Sequence, residues 1–426
     1  MITPADATIS EYNALLAREF GQHIRVTFIL DNIVFTDEDF DIQNQCRLTT
    51  YMNPEIDLTF GVAFMSEMAV NFLRSSKTDR LNWTQEFKVE FGVEDEGEDD
   101  IKWIQVGIFA GKRPMSNTAR SIEFTAYDRM QRFEKKIDDF MSLITYPCTL
   151  QSIYEKLCSF VGLNYTAGDE IADIMNRQIT SAFNTDNILT CRELLAKIAE
   201  ATACYARITN DGKVQLVWFD DCSSDYSLMR DNIFSLDATD LTQISGKRWG
   251  ELSNTTWNGM SVYQWNDLFD KGLPLVIQGI TASWTDPEES YTQPPDVDQG
   301  ARRPWKEVEK SKWNSLSAYT WDNLEFMGWK GNLYNIVDNP FIHYSTEADI
   351  RAHLQIMVNR LTAFNMYYVA TITAVGNWLL ETGDVINLEL EDGSYVKYPI
   401  FSRTISWNGY CECEYESTGN LTRGEV

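Results

Sequence analysis

The chain has 426 residues, 44% hydrophobic and 13% aromatic, ample for packed cores and too long for a single one. Its 63 acidic and 36 basic residues leave a net charge of −27, the opposite of the clustered positive field that gripping phosphates requires, so no specific nucleic-acid binding is expected. No run of roughly 18 apolar residues is present, and no basic N-terminal stretch leads into an apolar one, so neither a helical membrane span nor a secretory leader is expected.

In chain order, Ile9, Tyr12, Leu15, Leu16 and Phe20 recur at helical spacing up to Gly21. From His23 the pattern becomes strand-like. His23–Leu30, Cys46–Met52, Ile56–Ala63, Met68–Leu73, Phe87–Val93, Ile101–Phe109 and Ser121–Ala126 read as strands with little helix between them, as in an all-β sandwich or barrel. Two acidic runs, Asp37-Glu38-Asp39 and Glu94 to Asp100, interrupt the series. Neither has the alternating oxygen ligands of a calcium loop, so both are expected to be solvated loops.

Thr149 to Gly162 reads as a helix with Ile153, Leu157 and Phe160 on one face and Gly162 as its stop. Thr190 and Glu193 form a capping box for a second helix, whose Leu194, Leu195, Ile198, Ala199 and Thr202 make an apolar face. A hairpin follows. Tyr205–Thr209 is the outgoing strand, Asn210-Asp211-Gly212 the turn, and Val214, Leu216 and Trp218 the inward residues of the return.

Residues 245–331 carry tryptophans at intervals of eight: Trp249, Trp257 and Trp265, then Trp305, Trp313, Trp321 and Trp329. Most are followed three residues later by an apolar residue: Leu252, Met260, Leu268, Val308, Leu316 and Leu324. On one helix, successive tryptophans would stand about 80° apart and spiral off any single face. Short extended segments or tight turns, which keep an even spacing on one side, are therefore expected. Trp249, Trp257, Trp265, Trp313, Trp321 and Trp329 are the candidate interaction surface; the bland reading of the same ladder is the segment's own core. Between the two blocks lies one candidate strand, Leu275–Trp284.

Asn339-Pro340-Phe341 then precedes a helix over Thr346–Phe364, with Thr346 and Asp349 at its start and a stripe of Ile350, Leu354, Met357 and Leu361. Strands close the chain: Tyr367–Val375, Val385–Leu390, Tyr395–Thr404 and Tyr410–Ser417.

Several of these segments share a resemblance. Thr190, Arg192, Leu195, Ile198, Ala199, Tyr205, Asp211, Gly212, Lys213 and Leu216 form a pattern similar to the middle of phage tail baseplate hub proteins. That family includes the hub of contractile tails and the N-terminal hub region of tail-associated proteins of long-tailed phages. Tyr127-Asp128-Arg129-Met130 is similar to the family's Tyr-Asp-x-Met strand end. Gly383-Asp384-Val385 and Trp407-Asn408-Gly409 resemble its Gly-Asp turn and closing aromatic turn. The likeness covers residues 145–235 and 333–420 and is weaker over the first 140.

The resemblance implies an α+β chain with two tail-tube-like antiparallel β-barrels and helix-containing intermediate domains, assembling as a ring. The expected segments are a first barrel at 1–135, an α+β domain at 136–235, a Trp-repeat insertion at 236–332, a helical segment packing with the α+β domain at 333–364, and a second barrel at 365–426. It further implies a homotrimer at the tail tip or baseplate of a virion assembled in the bacterial cytoplasm. Its partners would be a tail tube or distal tail protein on one face and a spike or fibre protein on the other, with DNA free to pass through the lumen. Long-tailed relatives often carry a lysozyme or peptidase domain after the hub, and none is expected here before Val426.

Residues for chemistry are sparse. There is no phosphate loop, GxGxxG or HExxH. His23, His343 and His353 have no partner set for zinc, and Cys411-x-Cys413 lacks a second pair. The eight cysteines are scattered and expected to be reduced and buried. Asp220-Asp221 after Trp218-Phe219 invites a catalytic carboxylate reading, yet no histidine lies near it in sequence. No catalytic residue, metal or cofactor is therefore expected. The alternatives are a tail-associated cell-wall hydrolase and a carbohydrate-binding tail-tip protein using the tryptophans as stacking platforms.

Overall fold

The computed structural model describes residues 2, 9–16, 21–41, 46–52, 59–95, 101–111, 114, 116–117, 120–183, 185, 187–223, 226–238, 279–284, 289–293, 303–304, 324–325, 333–342, 346–362, 370–390 and 393–417. All six tryptophans of the candidate surface, together with Trp305, lie outside the described residues. The chain forms two units: Met1–Asp237 with Tyr367–Thr418, and Ala238–Met366 with Gly419–Val426.

The first unit is built on a twelve-stranded sheet. From one edge the strands run Ile233–Ala238, Ala370–Val375, Cys411–Glu416, Ser402–Trp407, Cys46–Tyr51, Glu67–Leu73, Ser121–Asp128, Ile101–Ala110, Glu86–Glu94, Gln22–Phe28 and Ile33–Thr36, with Ser116–Asn117 attached to Ser121–Asp128. The registered pairs between these strands are antiparallel, and alternation sets which side each residue takes. Phe28, Phe35, Phe72, Phe87, Phe124 and Trp83 meet on the inner side with ring centroids 4.6–6.4 Å apart. Burying each such ring contributes about 1.5–3 kcal/mol.

Two separate barrels were expected, and a single open sheet is found; no closed barrel occurs among the described residues. The reason is one pairing. Ser402–Trp407 lies against Cys46–Tyr51 with Ile405 opposite Leu48, so the C-terminal strands continue the N-terminal sheet. The strand expected over Tyr395–Thr404 is two strands. Tyr395–Pro399 pairs with Asp384–Glu389 in a small sheet, and the chain then crosses into the large one. At the crossing the Ile400 amide donates to the Asp384 carbonyl and the Phe401 amide to the Glu416 carbonyl, both at 2.9 Å. Over Ile56–Ala63, the described part (59–63) is no strand. Gly61 takes φ +73, and a Cβ there would stand 2.4 Å from the Glu200 side chain.

The helices follow their sequence signals. Leu150–Val161 is capped by the Thr149 side chain and ends at left-handed Gly162. Cys191–Ala201 has the full Thr190/Glu193 capping box, and its Leu194, Leu195, Ile198 and Ala199 are fully buried. Tyr205–Ile208 and Val214–Val217 form the hairpin.

In the second unit, Gly279–Trp284 pairs antiparallel with Glu289–Gln293 and parallel with Leu333–Val337. The helix Glu347–Thr362 packs on this small sheet through the buried stripe Ile350, Leu354, Met357 and Leu361.

Candidate functional site: an acidic face of the large sheet

The outer side of the large sheet is assembled row by row from strand register. One row reads Thr373, Glu414, Thr404, Thr49, Glu67, Tyr127 across six strands. The row above reads Val375, Glu412, Ser406, Arg47, Ala69, Thr125, and the row below Thr371, Glu416, Ser402, Tyr51. The sequence Cys-Glu-Cys-Glu-Tyr-Glu over 411–416 explains the segregation. Alternation sends Cys411, Cys413 and Tyr415 into the core and Glu412, Glu414 and Glu416 outward.

Across these six strands the described outward residues include five glutamates (Glu67, Glu123, Glu412, Glu414 and Glu416) and Arg47, with the more buried Ser402, Thr404 and Thr49 between them; farther along the same side Lys88 and Arg25 pair with Glu90. Ser402 Oγ donates to Glu416 at 2.5 Å. Partial burial raises the Tyr51 phenol above its ordinary pKa; Arg47 opposes this, and Glu416, Glu67 and Glu414 add to it. Burial first, then Glu67, raises Tyr127 in the same way. A face on which glutamates predominate over these six strands does not attract a polyanion.

Several residues of the sequence resemblance tie segments distant in the chain together. Asp128 is buried and accepts from the amides of Met130 and Ser66, both at 2.9 Å. Burial pushes its carboxyl up to about 6 against those donors. The neighbouring Arg129 grips Glu86 through two nitrogens at 2.7 and 3.1 Å, and Arg132 joins at 2.6 Å. Burial opposes ionisation of Glu86, but the two guanidiniums outweigh it and hold the carboxyl below its ordinary range. Arg129 also reaches the Gly212 carbonyl at 3.4 Å. Gln105 and Asn210 exchange side-chain-to-backbone bonds at 2.6 and 3.1 Å. The Tyr-Asp-x-Met strand end and the Asn-Asp-Gly turn, distant in sequence, therefore touch.

Asp220 and Asp384 sit side by side with the Cys222 sulfur 3.8 and 3.7 Å from them. Asp384 is buried, which raises its pKa, and it accepts the Glu381 amide at 2.7 Å as the cap of the Gly383 turn. Cys411 and Cys413 are buried thiols with raised pKa values, and buried thiols are poor nucleophiles. His353 is buried in its helix, and His343 lies outside the described residues. No group of three or more potential metal ligands comes together among the described residues.

One cluster was not legible in the sequence. The two acidic runs are joined by His23, whose Nδ1 lies 2.5 Å from Asp37 and whose Nε2 lies 3.0 Å from Glu94. Asp37 also accepts the Ile24 amide at 2.8 Å. Arg25 stacks over Trp103 at 4.2 Å beside the cluster.

No protein-family model matches the chain, and no curated protein matches it. Solved structures do. The 43 kDa tail protein of prophage MuSo2 from Shewanella oneidensis is 12% identical with a TM-score of 0.50, the likeness covering 93% of this chain and 98% of that one. The tail protein from Neisseria meningitidis MC58 is 10% identical with a TM-score of 0.47, covering 94% and 98%. Prophage tail protein gp18 from Listeria monocytogenes EGD-e is 13% identical with a TM-score of 0.45, covering 93% and 95%. At these identities the likeness is one of fold, and it runs from end to end of the Shewanella protein.

Proposed function

We propose that the chain is a structural component of a phage tail or related injection apparatus, placed at the tail tip or baseplate as its hub. The observation that carries this reading is the end-to-end likeness of fold to a prophage tail protein. In this reading three copies form a ring, each contributing its large sheet. One face of the ring meets a hexameric tail tube or distal tail protein, and the other a trimeric spike or fibre. Rotational symmetry lets one patch per chain serve every contact in the ring. The acidic sheet face lines the central passage, where a wall without clustered cations lets a nucleic acid slide without sticking. The role is architectural and involves no catalysis. Outside the described structure, the Trp-octad segments Trp249–Trp265 and Trp305–Trp329 supply a further interaction surface.

Light scattering on the purified chain, alone and mixed with its tail-tube protein, tests the assembly. Three copies of the chain per particle are expected, at least once the partner is present. A monomer under both conditions overturns the ring. Turnover of peptidoglycan by the purified chain would instead favour the wall-hydrolase reading.

A further inference from the structure

A pocket of ≈ 300 Å³ opens where the helix Ile9–Leu16, the segment 226–232 and the end of the strand Ala370–Val375 converge in the first unit. Its polar lining is Asn13, Tyr226, Ser227, Asn232 and Asn377, and its apolar lining includes Leu16, Met229 and Val375. None of the lining residues is charged, in a chain of which 23% is charged. A charged ligand would find no counter-charge there, so a neutral one is selected.

The polar groups are partly committed and partly open. Asn377 is buried, donates from Nδ2 to Asn13 Oδ1 at 3.1 Å and accepts the Leu379 amide at 3.0 Å. It therefore anchors the floor. Among the described residues, the Asn13 amide nitrogen, the Ser227 hydroxyl and the Asn232 carboxamide make no other hydrogen bond. A carboxamide offers two donors and an acceptor in one plane, and a hydroxyl offers both roles. Such a set matches neighbouring hydroxyls, each of which is donor and acceptor at once. Met229 and Val375 supply apolar surface for the C–H side of the same ligand. The volume lies at the small end of the range for small-molecule sites, the size of one or two sugar rings. A peptide would be held by a run of backbone partners along a strand, whereas the open groups here are side-chain carboxamides and a hydroxyl.

We infer that this pocket binds a neutral saccharide unit through Asn13, Ser227 and Asn232. The inference is independent of ring assembly and assigns sugar recognition to a place other than the tryptophan segments.

The test is calorimetric titration of the whole chain with glucose, galactose, rhamnose and N-acetylglucosamine, with glucuronate as charged control and triglycine amide as peptide control. A neutral sugar is expected to bind and both controls to fail. Asn232→Ala combined with Ser227→Ala should weaken binding about tenfold through the lost hydrogen bonds. Met229→Trp, which fills the pocket, should abolish it. The unfolding temperature should hold in both variants. Four results overturn the inference: no neutral sugar binds, glucuronate binds as well, the peptide binds in its place, or sugar binding survives both pocket variants, with its loss on Trp257→Ala then moving it to the tryptophan segments.

Discussion

At residue scale, Glu86 is held between Arg129 and Arg132 while Arg129 also touches the hairpin tip at Gly212. Arg129→Ala removes one guanidinium, leaves Glu86 in partial burial with one partner fewer, and unseats the hairpin. A loss of about 1–3 kcal/mol is expected, the cost of stranding a partly buried charged group; a urea midpoint measures it. His23 gives a pH-dependent counterpart. Burial lowers the imidazole pKa, but the hydrogen bonds to Asp37 and Glu94 outweigh it, and the net shift is upward. The folded form therefore holds the proton more tightly than the unfolded chain, whose ordinary value is about 6.5. The stabilisation is fully present below that value and is lost as pH rises through the raised folded pKa. His23→Gln should lower the unfolding temperature at pH 5 and make little difference at alkaline pH. An equal loss at both would show that the ion pairs carry nothing.

At the scale of elements, the helices were legible because their signals are local. Thr190 and Glu193 sit three residues apart, and both arms of the box form, the Glu193 amide donating to Thr190 Oγ at 3.2 Å and the Thr190 amide to the Glu193 carboxylate at 3.1 Å. Thr190→Ala should cost about 1 kcal/mol, read as a shift in thermal or urea midpoint. Strand alternation was equally legible, since it records which side each residue faces. Strand neighbours were not. Leu48 and Ile405 are opposite one another, and nothing within reach of either in sequence signals the other. Period-two patterning fixes a face and leaves the partner open, so nothing in the strands themselves could test the two barrels that the family resemblance implies. Leu48 is buried on the core side of that seam. Leu48→Ala should therefore cost about 2–5 kcal/mol; the same loss from a deeply exposed position would be absent. The acidic face was half legible. The alternating glutamates of 411–416 stand in the sequence, but the Thr, Ser and Glu rows exist only once the register is known.

At the scale of the molecule, the central strands of the sheet come from opposite ends of the chain. Removing residues 367–426 would strip Ser402–Trp407 from Cys46–Tyr51 and leave a hydrophobic edge exposed to other chains. That truncation is expected to aggregate on expression, whereas an independent N-terminal barrel would stay soluble and monomeric. In the proposed ring the passage is walled by the Glu412–Glu414–Glu416 face. Electron cryomicroscopy of the assembled protein tests it most directly. End-on views with threefold symmetry and a central hole are expected, with a map in which the strands Cys411–Glu416, Ser402–Trp407, Cys46–Tyr51 and Glu67–Leu73 turn their carboxylate side to that hole. Particles without a hole, or a ring with this face turned outward, would contradict it.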